Sequence, residues 1–187
     1  MTLDDSLVSG NPRNGIVNDG VMTLTRTAVS ENEGAGIYNC SGNVTLNNSS
    51  VSSNAYHGIY NQDRAVTLNN SAVSGNKALG VEGGGIYNWC GTVTLNNSAV
   101  SGNKALGVGG GGIYNWSGTV TLNNSTVSGN TSTLAGGGIY MARNGTLALN
   151  NCTVSDNTVD EYGGGIYVEE GTATLRNTIV AGNTARS

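Results

Sequence analysis

Residues 83–103 read GGGIYNWCGTVTLNNSAVSGN and residues 110–130 read GGGIYNWSGTVTLNNSTVSGN, differing only at Cys90 against Ser117 and Ala99 against Thr126. A near-verbatim return at a fixed interval marks a repeated structural unit. Working outward in both directions, a Thr-Leu element recurs with Leu3, Leu24, Leu46, Leu68, Leu95, Leu122, Leu149 and Leu175, at spacings of 21, 22, 22, 27, 27, 27 and 26 residues. A second element, Gly-Ile-Tyr or Gly-Ile-Val, recurs with Ile16, Ile37, Ile59, Ile86, Ile113, Ile139 and Ile166. Together they fill residues 1–187 with about seven coils of 21–27 residues, a single solenoid domain that starts and ends inside a repeat.

Within each unit the apolar residues alternate. In 91–97, Val93 and Leu95 share one face while Thr92, Thr94 and Asn96 share the other, the period of a strand buried on one side. Val100, past the Asn97–Ser98 bend, and the Ile86-type positions supply two further inward strands. Three short strands per coil, each paired in parallel with its copy in the next coil, make an all-β parallel β-helix, and the chirality of parallel crossovers favours the right-handed form. A leucine-rich repeat is disfavoured because the returns consist of Gly, Ser and Asn, which are poor helix formers. A calcium-binding nonapeptide array is excluded because GGxGxD does not recur.

With 37% hydrophobic residues, 30 glycines and no Phe, the chain cannot build a wide layered core. Polar groups must therefore share the work. Asn11, Asn32, Asn54, Asn76, Asn103, Asn130, Asn157 and Asn183 hold one slot in every repeat, and stacked amides can bond along the axis as an asparagine ladder. We expect this ladder to be interior and unglycosylated although N-x-S/T patterns abound. A second row, Asn48, Asn70, Asn97, Asn124, Asn151 and Asn177, marks the other bend, with Asp5 and Arg26 in the first coils. Gly before each Ile fits a positive φ or a close backbone approach.

GGGI at 83–86 and 163–166, with VSGN at 100–103 and 127–130, resembles the right-handed β-helix repeats of the pectate-lyase-like superfamily. The chain is most similar to polymorphic outer membrane protein repeats of the GGAI/FxxN type, with Val where those have Phe. That resemblance implies a β-helix along all coils. It leaves function open between surface adhesins and polysaccharide-cleaving enzymes, since one fold hosts both.

Bulk properties narrow the partners. A net charge of −4, a pI near 4.7 and scattered basic residues argue against nucleic acid, and no apolar run approaches a membrane span. Three cysteines, Cys40, Cys90 and Cys152, lack metal spacing and read as small-residue substitutions in slots held elsewhere by Ser or Trp. No cofactor or metal is expected.

A catalytic site on this scaffold needs paired carboxylates from neighbouring coils. Asp63 with Arg64, His57, and the acidic group Asp156, Asp160, Glu161, Glu169 and Glu170 are the candidates. His57 reads better as a turn residue, and the acidic group as a solvated edge with a weak cation site as the alternative. Tyr38, Tyr60, Tyr87, Tyr114, Tyr140 and Tyr167 follow the inward Ile, so alternation places them outside in a stacked column extended by Trp89 and Trp116. Exposed aromatic faces suit sugar rings; self-stacking under loops is the competing reading. Lengthened turns at 77–85, 104–112, 131–138 and 158–165 form a ridge carrying Leu79, Leu106 and Leu134, the best position for a binding surface. Thr2, Thr23, Thr45, Thr67, Thr94, Thr121 and Thr174, broken by Ala148, form a row of the kind that ice-binding solenoids use.

The expectation is a non-enzymatic extracellular or cell-surface β-solenoid, a structural, adhesive or fibre-forming module. Its partners would be itself, stacked head to tail, or neighbouring domains of a longer solenoid. The alternatives are a glycan-binding or polysaccharide-active β-helix and an ice-binding protein.

Overall fold

The computed structural model describes residues 1–186, an all-β parallel solenoid. Strands stack coil upon coil into two sheets of eight, one of seven and one of five, every pairing parallel and between consecutive coils. Register follows the repeat: Leu95 pairs with Leu68 below and Leu122 above, and Val100 with Val73 and Val127. The long strands, such as Thr92–Asn96, alternate exposed or half-buried residues with buried ones because only one face of each meets the core.

Four inward columns form that core. The columns through Val93, Leu95, Val100 and Ile86 are fully buried in the central coils, each residue stacked on its equivalent. The fourth sheet departs from the three-strand expectation. Lys77–Ala78, Lys104–Ala105, Thr131–Ser132, Thr158–Val159 and Thr184–Ala185 pair beneath the ridge, where the longer turns supply extra residues after the ladder Asn. Ala78, Ala105 and Val159 bury their side chains there, which drives the pairing.

The asparagine ladder is continuous from Asn11 to Asn183. Asn103 Nδ2 donates to Asn130 Oδ1 at 3.0 Å and to the Val73 carbonyl at 3.0 Å, and the Asn103 backbone N–H donates to the same Asn130 oxygen at 3.0 Å. Both amide hydrogens and the oxygen are thus committed, and the pattern repeats at Asn32, Asn54, Asn76, Asn130 and Asn157. These side chains are at most 1% exposed, and among the described residues no buried side-chain polar atom lacks a partner. The Gly before Ile is required by this ladder: a Cβ on Gly85 would meet Asn103 Nδ2 at 2.8 Å and the Gly112 carbonyl at 2.5 Å.

The second bend works differently. Asn48, Asn70, Asn97 and Asn124 all have φ of 49°, the left-handed conformation that Asn tolerates. Asp5 and Arg26 occupy the same slot at φ of 45° and 46°, so the bend continues where the Asn row stops. There Arg26 bridges Asp4 and Asp5 at 2.7 and 2.6 Å across adjacent coils.

His57 sits where the solenoid widens, in the last coil before the ridge begins. It lies at a turn, as expected, but its side chain is 3% exposed, among the rings of Tyr56, Tyr60 and Tyr87. Its Nδ1–H donates to the Gly83 carbonyl at 2.7 Å, tying the first ridge turn to the coil below. Burial, partly offset by that hydrogen bond, pushes its pKa down to about 4.

Two outcomes follow from this packing. Asn103→Ala leaves the Asn76 amide and backbone N–H without their acceptor, so it should destabilise the fold by about 3 kcal/mol. Asn96→Ala, on the outer face, should cost less than about 1 kcal/mol; equal losses in denaturant melts would contradict the interior role. For His57 the unfolded chain binds its proton near the ordinary value of 6.5 while the folded one resists to about 4. Stability is therefore complete above pH 6.5 and falls by about 3 kcal/mol as pH drops toward 4. Urea melts across that range should show the slope in the native chain and a flatter profile in His57→Gln.

Candidate aromatic groove

Each face of the solenoid presents a different column chemistry. The long-strand sheet shows the Thr23–Thr45–Thr67–Thr94–Thr121 column in register and half-buried, interrupted at Ala148 as expected. Beside it runs an outer amide ladder in which Asn69, Asn96, Asn123 and Asn150 each donate to the Asn below at 2.9 to 3.1 Å. The bend at Asn48, Asn70, Asn97 and Asn124 lines a shallow trough of about 510 Å³ with Ser and Ala neighbours.

The tyrosines stack as expected, with ring centroids 4.6 Å apart for Tyr38–Tyr60, 5.0 Å for Tyr87–Tyr114 and 5.0 Å for Tyr114–Tyr140. They do not form an exposed platform. Tyr87, Tyr114 and Tyr140 are 7%, 4% and 4% exposed, and each central ring spends its faces on its neighbours. The physical reason is the ridge. Its first glycines, Gly83, Gly110, Gly136 and Gly163, adopt φ of 59° to 68° and fold back over the tyrosines, so a Cβ on Gly110 would meet the Tyr114 Cβ at 2.7 Å. Tyr38, Tyr60 and Tyr167 remain half-buried at the two ends of the column.

Trp89 and Trp116 form a second, outer stack at 5.2 Å, flanking Tyr87 and Tyr114 at 6.2 and 6.3 Å. Arg143 continues it from the next coil, its guanidinium 4.7 Å above the Trp116 ring. Trp89 is 40% exposed, and its second face, toward the Gln62 slot, meets no ring among the described residues. Between this stack and the ridge lies a groove of about 400 Å³, lined by Glu82, Val108, Tyr114, Trp116, Tyr140, Arg143, Glu169 and Glu170. Tyr140 donates its hydroxyl to Glu169 at 2.7 Å. Burial first, then the Glu82 and Glu169 charges, push the Tyr114 hydroxyl well above its ordinary pKa, with Arg143 opposing. These tyrosines stay neutral and serve as hydrogen-bonding groups.

The other candidates are dispersed. Asp63 and Arg64 form an exposed pair at 4.0 Å, and Asp160 pairs with Arg186 at 3.6 Å. Of the acidic group near the C-terminal end, Glu169 and Glu170 reach the groove. Among the described residues no three His, Cys, Asp or Glu side chains are grouped to hold a metal ion. Cys152 is buried in the slot filled by Ser98 and Ser125 in other coils, Cys90 contacts Ser117 at 3.2 Å, and Cys40 holds the slot of Trp89 and Trp116, so all three cysteines occupy repeat slots as read. The ridge leucines Leu79, Leu106 and Leu134 stay 37% to 59% exposed.

Sequence reasoning passed over two features. One is a second interior ladder, Asn18–Asn39–Asn61–Asn88–Asn115, with amide bonds of 2.7 to 2.8 Å. Alternation within Ile-Tyr-Asn already placed that Asn on the side of the inward Ile. The other is a pair of the groove's charged residues, Glu82 and Arg143. Glu82 replaces the Gly109 of the otherwise near-identical next ridge, and Arg143 interrupts the Trp-Ser-Gly pattern, so both announce themselves as departures from the repeat.

Comparison with curated proteins and with solved structures returns no match. A family model described as a right-handed β-helix region matches residues 33–187, most of the chain and all of its ridge-bearing coils. With parallel strands in register throughout and interior amide ladders, the chain belongs to the right-handed β-helix family.

Proposed function

We propose that this chain is a non-enzymatic adhesive module, displayed outside the cell or on its surface, that holds a glycan at the groove beside the Trp89–Trp116 stack. The observation that carries the reading is Trp89, a large aromatic 40% exposed at the end of a rigid stack, with no ring stacked on its second face among the described residues. Such a face suits the apolar side of one pyranose of a chain, and the groove on the Trp116 side of the stack supplies hydroxyl and carboxylate groups for further sugar units. A solenoid with saturated ladders suits presentation because the site is held by packed columns and needs little ordering on binding.

Tyr140 bonds Glu169 and Arg143 covers Trp116, so these groove groups are held by their neighbours rather than aimed at a shared reacting centre. That disposition favours recognition over cleavage.

Immobilised protein on a glycan array should retain a defined set of oligosaccharides, and Trp89→Ala with Trp116→Ala should weaken that retention on the order of tenfold. A thermal melt of the same variant checks that it stays folded, since Trp116 packs against the buried tyrosine cluster although both rings lie outside the core columns. Release of new reducing ends or unsaturated sugars from a bound polysaccharide would replace the adhesive reading with an enzymatic one. Thermal hysteresis without sugar retention would assign the Thr face instead.

A further inference from the structure

We propose that the groove selects sugars bearing free amines, a class narrower than glycans at large; the inference rests on the adhesive reading above. Its carboxylates outnumber its guanidinium: Glu82, Glu169 and Glu170 stand against Arg143 alone. Glu169 accepts from Tyr140, while Glu82 and Glu170 form no ion pair among the described residues. Arg143 is committed to the Trp116 face, and that contact is an internal instance of a cation seated on this aromatic wall.

Tyr114 adds an independent pointer to a ligand. The residue is 4% exposed, and its hydroxyl, which makes no hydrogen bond to a described residue, reaches the open space of the groove. A buried phenol stacked between Tyr87 and Tyr140 is held rigidly, so the unused hydroxyl is preset for an incoming donor or acceptor. The fields of Glu82 and Glu169 reach that hydroxyl, which puts the acidic groups and the phenol around the same space.

The acidic groups do not converge into a set able to hold a metal ion. They are distributed along the groove instead, with Glu82 on the ridge and Glu169 and Glu170 on a later coil. An extended ligand with cationic groups at intervals matches that distribution, whereas a compact ion would leave most of it unused. Protonated amines would meet Glu82 and Glu170, ring hydroxyls would meet Tyr114, and the sugar ring would lie along the Trp116 wall of the groove. Uronates and sulfated sugars would be repelled by the same carboxylates.

The experiment measures dissociation constants for the full chain with short oligomers of glucosamine, N-acetylglucosamine and galacturonic acid, at mildly acid pH and low salt. The glucosamine oligomer should bind on the order of tenfold more tightly than its N-acetylated counterpart, with the uronate weakest. Glu82→Gln with Glu170→Gln should abolish the difference, bringing the glucosamine oligomer's affinity down to that of its N-acetylated counterpart. Tyr114→Phe, which keeps the stack, should weaken both amino-sugar oligomers alike. Equal affinities for the two, or a preference that survives the double Gln variant, would overturn the inference and leave the adhesive reading standing. Failure of every sugar, including those of a broad array, would remove both. Pentalysine binding more tightly than the glucosamine oligomer, through the same glutamates, would overturn the sugar class in favour of a basic peptide.

Discussion

The primary amide of asparagine, stacked on its own copy one coil away, is the interaction on which this structure depends. An amide carries donors and an acceptor, so a column of them satisfies itself without water or charge. From Asn32 to Asn183 each oxygen takes two donors from the coil below, one from the side chain and one from the backbone. That arrangement works only if consecutive coils keep one spacing and one register. It therefore forces identical residues to stack in every other column and restricts the position before Ile to glycine through the coils around Gly85. A slender apolar core of Leu, Val and Ile columns supplies the burial that accompanies this polar framework.

The change of coil length, from 21–22 to 26–27 residues, is the one large modulation of the scaffold. Its added residues follow the ladder Asn, so the ladder continues while the turn beyond it lengthens. Part of the insertion becomes the fourth sheet, and the rest folds back over the tyrosines. His57 sits at this transition and is buried by it. The same ridge that hides Tyr87, Tyr114 and Tyr140 builds one wall of the groove, with Trp116 and Arg143 as the other. A longer turn thus converts an aromatic column from surface into wall.

Recognition chemistry collects where the repeat is broken. Columns that are uniform through the coils turn inward on themselves: the two interior amide ladders and the outer Asn ladder bond along their own length, and the tyrosine rings spend their faces on one another. Glu82 is a departure from an otherwise near-faithful copy, Arg143 belongs to the Met-Ala-Arg-Asn stretch that replaces Asn-Trp-Ser in its coil, and both line the groove. Uniformity serves stability, and exception serves contact with something else.

The sequence by itself determined the solenoid, its parallel register, the four inward columns and the ladder through Asn103, because each rests on a local period that repeats and on residues one coil apart that must stack. The Ile-Tyr-Asn ladder was equally legible, since Asn88 shares the face of Ile86 by strand alternation alone. What only the tertiary structure decided was the fate of side chains leaving the strand outward. Alternation says that Tyr114 points away from the core, and it does, but it carries no information about a turn that starts four residues earlier and closes over the ring. The fourth strand at Lys104–Ala105 and the meeting of Glu82 with Glu169 and Arg143 have the same origin. They depend on where long turns lie across neighbouring coils, a matter of packing between segments far apart in the chain rather than of any pattern within one.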